Sequence, residues 1–208
     1  MPITINGDGS ITGLSAGGLP AGSVTDATIA GMASSKLSGA LPAISGANLT
    51  GLSAGITMAE QWRLQGSLQG NRTPLTGWNV ANTGNAGKIG SSMSESSGVF
   101  TFPSTGIYLI IPKIVFRTDN NGDRTMTCYT EVTTDNSSYT NVDAIVSGDE
   151  DSGGLAVNST ASSFCFIDVT DTSNVKVRFR TESIDANLEG AESTYNMTTF
   201  TFIRLGDT

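Results

Sequence analysis

The sequence contains no histidine and only two cysteines, Cys128 and Cys165. Without an imidazole, the chain cannot form histidine-ligated zinc sites or the Ser–His and Cys–His pairs that activate nucleophiles. Both cysteines lie in strand-like stretches, which favours two small buried apolar residues over a disulfide framework or a metal site. We therefore predict free thiols, no bound metal and no cofactor. These absences argue against an enzyme.

Positive charge is also scarce, with 11 basic residues against 19 acidic ones, a net charge of -8 and a pI near 4.4. The basic residues are scattered along the sequence and do not form the stripe typical of nucleic-acid binders. No run approaches the roughly 18 consecutive apolar residues of a membrane helix. The amino terminus, Met1–Thr4, lacks the basic start and apolar stretch of a secretory signal. We expect a protein that is made and assembled in a cytoplasm, without a nucleic-acid partner and without membrane insertion.

Aromatic residues are absent from the first part of the chain, because all 14 of them lie at or after Trp62. Each aromatic side chain buries about 150 to 250 Å², so a segment without them has little to offset the conformational entropy lost on folding. Residues 1–57 are rich in Gly, Ala, Ser, Thr and Leu, and the phrase at Thr12–Gly17 returns at Thr50–Gly55. We predict an extended, mostly irregular segment here. Thr25–Lys36 could form a short helix, although Gly31 disfavours it.

Residues 1–57 have two interpretations. They are a flexible linker, or they are an extended anchor whose apolar side chains become buried only against other subunits. We favour the anchor because apolar residues recur more regularly than a spacer requires. The anchor candidates are Leu14, Leu19, Val24, Ile29, Leu41, Ile44, Leu49 and Leu52.

From residue 58 to residue 208 the pattern predicts an all-β antiparallel sandwich. Short runs dense in Val, Ile, Thr, Tyr and Phe alternate with clusters of Gly, Asn, Asp and Ser. The clearest run is Val175–Arg180, where three apolar residues alternate with three cations. Because successive side chains of a strand point to opposite faces, this strand has one core face and one solvent face.

Two other runs, Ile107–Ile111 and Phe164–Ile167, are apolar on both faces. In an antiparallel sandwich only one face of each sheet meets the core. A second apolar face indicates cover by another subunit or by a loop of the same chain, and we favour oligomerisation. The candidates for the subunit interface are Tyr108, Ile110, Phe164, Phe166, Phe200 and Phe202.

The block Ser97–Ile110 resembles the signature of the complement-C1q/tumour-necrosis-factor family, in which a Gly-x-Phe strand leads through a proline and a Gly-x-Tyr turn into a central strand. In this block Pro103 fixes a turn and Gly106 permits a backbone angle that other residues avoid. The resemblance implies a jelly-roll head that forms homotrimers and binds without catalysing a reaction. Later stretches follow the order of the family's strands, at residues 124–133, 138–147, 163–169, 175–179 and 194–205.

The segment before the head resembles the leaders of tailed-bacteriophage virion proteins, in particular at Leu41–Leu52. Trp62–Leu64 followed by the Ser97–Ile110 block is similar to marine phage structural proteins. This resemblance implies that residues 1–57 bind other virion proteins and that residues 58–208 are displayed at the virion surface. Two roles compete: a fibre that attaches to a host-surface glycan or protein, and a capsid cement or decoration protein. We slightly favour the fibre.

Acidic loops are the candidate receptor contacts, through Asp149, Glu150, Asp151, Asp185, Glu189 and Glu192. Loop Gly148–Gly154 could also offer oxygens to calcium, but a solvated loop is the simpler interpretation. Asp119–Asp123 is better explained as a hairpin turn, because Arg124 stands where a calcium-binding EF-hand needs glycine.

Two further functions remain as alternatives. Carboxylates between Glu182 and Glu192 could hydrolyse a polysaccharide if two of them were held roughly 5 to 10 Å apart, but the segment is equally typical of a long polar loop. A cellular C1q-like ligand is disfavoured by the missing secretory signal.

Overall fold

The computed structural model describes residues 4–5, 7, 11–12, 55–81, 86–118, 125–148, 155–182, 187–190 and 195–208. The chain divides into two compact units, Met1–Gly51 and Leu52–Thr208. In the first unit, β1 (Thr4–Ile5) and β2 (Ile11–Thr12) form an antiparallel pair. The predicted helix at residues 25–36 and all eight anchor candidates lie outside the described residues.

The described part of the second unit contains strands and no helix, which confirms the all-β prediction. The strands are β3 (Met58–Leu64), β4 (Leu68–Gln69), β5 (Trp78–Val80), β6 (Ser94–Ser96), β7 (Val99–Thr101), β8 (Gly106–Thr118), β9 (Met126–Thr133), β10 (Thr140–Ser147), β11 (Val157–Ser162), β12 (Cys165–Val169), β13 (Lys176–Glu182), β14 (Asn187–Leu188) and β15 (Thr199–Gly206). The sequence pattern did not single out β11, which is largely polar. No helix in the described residues is long and apolar enough to span a bilayer.

These strands form two antiparallel sheets. The small sheet has the order β10-β9-β13-β7-β6, and the large sheet has the order β4-β14-β8-β15-β3-β5. Strand β8 also pairs with β12 through its first half and with β11 through its second half. Because it pairs with four other strands along its 13 residues, β8 is the central strand of the large sheet.

The core between the sheets is aromatic. Phe100 and Phe179 come from the small sheet, and Trp62, Phe200 and Phe202 come from the large one. The ring centroids of Phe179 and Phe200 lie 3.4 Å apart, and Trp62 meets Phe100 edge-on at 5.3 Å. Since each aromatic side chain buries about 150 to 250 Å², this cluster supplies much of the apolar burial that holds the two sheets together.

The turn before β8 decides which face of that strand points inward. The Tyr108 hydroxyl donates to the Ser104 carbonyl at 3.0 Å, and the Tyr108 ring lies 4.7 Å from that of Phe102. Gly106 has a φ of 138°, a conformation open almost only to glycine. The turn therefore seats Tyr108 in the core and sets the alternation of the strand that follows.

We expect Gly106→Ala to lower the free energy of unfolding by about 2 kcal/mol, from strain at that φ and from a clash. A Cβ at this position would lie 2.4 Å from the Gly206 carbonyl oxygen. Gly206→Ala is the matched control, because a Cβ there meets nothing within 4 Å. Urea denaturation measures both variants, and equal losses would contradict the strain argument.

The turn at Asp135 makes the stability of the fold depend on pH. The Asp135 carboxylate accepts hydrogen bonds from the backbone amides of Ser138 at 2.7 Å and Ser137 at 2.9 Å and from the Thr133 hydroxyl at 2.9 Å. These bonds hold the pKa of Asp135 well below its usual range, and the bond from the Ser138 amide has the largest effect. The stabilisation is therefore present above the unfolded pKa of about 3.9 and disappears as the pH falls below it.

Accordingly, Asp135→Ala should lower the melting temperature more at neutral pH than in acid. The difference between wild type and variant should shrink steadily below pH of about 4. Thermal unfolding across that range measures it. If the difference in melting temperature between the two proteins is the same at every pH, ionised Asp135 adds nothing to the stability of the turn.

Candidate functional site

The outer face of the large sheet carries a continuous line of apolar side chains. In register across neighbouring strands, Phe166 lies opposite Leu109, Leu109 opposite Ile203, and Ile203 opposite Ala59, which forms a bridge with Ile89. Directly opposed residues of an antiparallel pair project to the same face and touch. We call these five residues the apolar row. An apolar line across four strands and a flanking bridge is typical of a protein-binding surface.

One end of the apolar row is an exposed aromatic pair. Phe164 is 66% exposed and Phe166 is 60% exposed, although both are large apolar side chains. Their rings contact each other edge-on, with centroids 6.1 Å apart. They lie on or next to β12, whose pairing partner in the described part of the chain is β8. Both were predicted as interface residues, and their exposure leaves them free to meet a partner.

The other end of the apolar row is a concave surface, which we call the side groove. The backbone amides of Ala59 and Ile89 each donate to the other residue's carbonyl, at 3.1 and 2.8 Å, and so hold the Ile89 segment beside β3. Ile89 remains half exposed at the rim. The side groove is lined by Ala59, Glu60, Gln61, Gly87, Lys88, Ile89, Thr201 and Ile203.

The remaining predicted interface residues face the wrong way. They belong to the core of a single chain, with no exposed surface: Tyr108, Ile110, Phe200 and Phe202. Their assignment to a subunit interface is wrong because they point between the two sheets. The outward residues are their neighbours in the same strands, such as Leu109 and Ile203. Counting alternate positions from Tyr108, the aromatic of the Gly-x-Tyr turn, would have identified them.

Among the receptor-facing candidates, Glu189 is described and is buried, with 8% of its surface exposed. The Ser67 hydroxyl donates to its carboxylate at 2.7 Å, and the Arg117 guanidinium lies 3.9 Å away. Glu189 therefore ties two loops together, and its prediction as a receptor contact is wrong. The other candidates lie outside the described residues: Asp149, Glu150, Asp151, Asp185 and Glu192.

The described residues offer little reactive chemistry. Both cysteines are free thiols, as predicted. Burial, with a further contribution from nearby Asp143, raises the pKa of Cys128 and of Cys165 to about 12, so neither is a thiolate at neutral pH. Within the described ranges no three Cys, Asp or Glu residues converge as a metal site requires. Glu182, one of the carboxylates considered for hydrolysis, is paired with Arg180 at 2.8 Å.

No protein-family model and no curated protein sequence matches the chain. Solved structures do match it in fold. The structure of Eiger TNF from S. frugiperda is 12% identical, with a TM-score of 0.57, over 74% of this chain and 96% of that one. Murine APRIL at pH 5.0 is 11% identical, with a TM-score of 0.52, over 71% of this chain and 98% of that one. Murine APRIL at pH 8.5 has a TM-score of 0.51 at 11% identity. The chain therefore has a tumour-necrosis-factor-like jelly-roll fold, as the Ser97–Ile110 block predicted.

Proposed function

We propose that the chain is a non-enzymatic binding protein whose jelly-roll head assembles into a homotrimer through the outer face of its large sheet. The apolar row is the observation that carries the proposal. It joins the exposed pair Phe164 and Phe166 at one end to the side groove at the other.

The two ends of the apolar row differ in shape, and they complement each other. Phe164 and Phe166 of one copy fit the side groove of the next copy, beside Ala59 and Ile89. A contact between two different patches is heterologous, and it closes into a ring when the rotation between copies allows. Three copies are supported by the likeness of the fold and by the C1q/tumour-necrosis-factor-like sequence block.

Association of the subunits requires burial of the whole apolar row, not of the aromatic pair alone. Burying one phenylalanine contributes about 1.5 to 3 kcal/mol, whereas association costs an estimated 4 to 15 kcal/mol in lost translation and rotation. Phe164 and Phe166 alone are therefore marginal. Half-buried Leu109 and Ile203 extend the same surface, and their burial adds to that of the aromatic pair.

We further propose that the head belongs to a virion surface protein that attaches to a host. Residues 1–57 anchor it to other virion proteins, which their regular apolar residues and their lack of aromatics support. Gold-labelled antibody against the head, applied to purified particles, tests this role. Label on fibres supports attachment, label over the whole shell supports the capsid-cement role, and absence of label from particles overturns both.

The trimer is tested by removing the aromatic pair. We expect the intact protein to have three times the chain mass by size-exclusion chromatography with light scattering. The double variant Phe164→Ser/Phe166→Ser should be monomeric, because its face no longer offsets the cost of association. Val146→Ser is the matched control, since Val146 is 61% exposed but lies on the small sheet. A monomeric wild type, or a trimeric double variant, would refute the proposal.

The head-to-tail arrangement is tested by mixing two cysteine variants, Phe166→Cys and Ile89→Cys, and adding a short bis-maleimide. Cross-linked chains should form efficiently in the mixture and poorly in either variant alone, because a heterologous contact joins unlike patches. The wild type gives the background from Cys165. Efficient self-linking of Phe166→Cys would instead indicate a two-fold symmetric interface.

A further inference from the structure

The three cations that alternate along β13 lie on the outer face of the small sheet, on the opposite side of the sandwich from the apolar row. Lys176, Arg178 and Arg180 all point outward, while Val177 and Phe179 between them are fully buried. We call the three outward residues the cationic strand face. They are three of only 11 basic residues in a chain of net charge -8, and self-association does not use them.

Both arginines are held by a single buried carboxylate. Glu131 on β9 is 6% exposed and lies directly opposite Arg178. It accepts the Nε hydrogen bond of Arg178 at 2.7 Å through one oxygen and that of Arg180 at 3.1 Å through the other. Because the inner Nε atoms make these bonds, the outer ends of the guanidinium groups are not needed to hold the side chains in place.

Tyrosine rings brace the same two guanidinium groups. The Cζ atom of Arg178 lies 3.8 Å from the centroid of the Tyr139 ring, and that of Arg180 lies 4.2 Å from the Tyr129 ring. A guanidinium fixed by a carboxylate and an aromatic face has already lost its rotamer freedom. Binding of a ligand to its free edge therefore costs little further side-chain conformational entropy.

Unpaired donors remain at one end of the cationic strand face. Arg180 also donates to Glu182, so the carboxylates of Glu131 and Glu182 neutralise two of the three cations. Among the described residues, the terminal nitrogens of Arg178 and the ammonium group of Lys176 have no hydrogen-bond or ion-pair partner. The Arg178 side chain is 23% exposed, so its outer edge is reachable from solvent.

We propose that the cationic strand face binds an acidic polysaccharide, with a carboxylate or sulfate group held by the terminal N–H groups of Arg178 and by Lys176. A planar guanidinium matches such oxyanions in two-pronged geometry. The proposal rests on the proposed function, for which it names the chemistry of the host-surface partner.

The shape and charge of this face select the class of ligand. Its three cations are spread along one strand, so it suits an extended polymer better than a small molecule. Its one uncompensated charge suits a sparsely charged chain. Duplex DNA carries one negative charge per roughly 1.7 Å and would be repelled by the net charge of -8 on the protein.

The test is calorimetric titration of the intact protein with carboxymethyl dextran, lightly sulfated dextran and uncharged dextran of the same length. At least one acidic dextran should bind, more weakly as salt is raised from about 50 to about 200 mM, and uncharged dextran should not. The variants Lys176→Gln and Arg178→Gln should each weaken binding about tenfold. Lys36→Gln makes the same charge change in residues 1–57, outside the jelly-roll head, and should leave binding unchanged.

Several outcomes would overturn the assignment: no binding to either acidic dextran, equal loss in Lys36→Gln, no loss in Lys176→Gln, or duplex DNA binding as tightly. Lys176→Gln breaks no contact in the described structure, so its result does not depend on whether Arg178→Gln folds. The light-scattering mass of each variant separates the two proposals. Trimers without dextran binding refute only this inference, and monomers that bind dextran refute only the trimer.

Discussion

The hydrogen bond from the Tyr108 hydroxyl to the Ser104 carbonyl, together with the packing of Tyr108 on Phe102, fixes the inward face of β8. A shift of one residue would exchange the two faces of a strand. Strand β8 pairs with β11, β12, β14 and β15, so its register passes to most of the large sheet. The inward Tyr108 therefore also decides that Leu109 faces outward and that the apolar row exists.

Local sequence information was sufficient for the fold but not for the faces of all strands. Pro103 and Gly106 define their turn by their own backbone restrictions, and Val175–Arg180 alternates so clearly that its two faces can be assigned without a structure. Ile107–Ile111 has no such alternation, because both of its faces are apolar. Its inward residues follow by alternation once Tyr108 is placed in the core, and its predicted interface residues were wrong because they were Tyr108 and Ile110, on that inward face.

Pairs formed across the chain explain the remaining error. Glu189 has the sequence environment of a solvated loop, but the Ser67 hydroxyl that binds it comes from 122 residues earlier. In the same way, Glu131 stands in a strand where nothing nearby indicates that Arg178, 47 residues later, will bind it. A sequence pattern states how polar a position is, whereas the sheet register decides which charges meet.

The outer face of the large sheet carries the apolar row, whereas that of the small sheet carries the cationic strand face. An apolar surface is stable in water when another copy covers it, whereas Arg178 stays partly accessible although the carboxylate that holds it is buried. The proposed head-to-tail ring would bury the outer face of the large sheet and leave the small sheet of each copy uncovered. In the proposed trimer, three weak sites on one ring would act at high effective concentration on a repeating polymer. Under that proposal, weak charge at each site would be sufficient for avid binding, and the acidic remainder of the chain would oppose non-specific contacts.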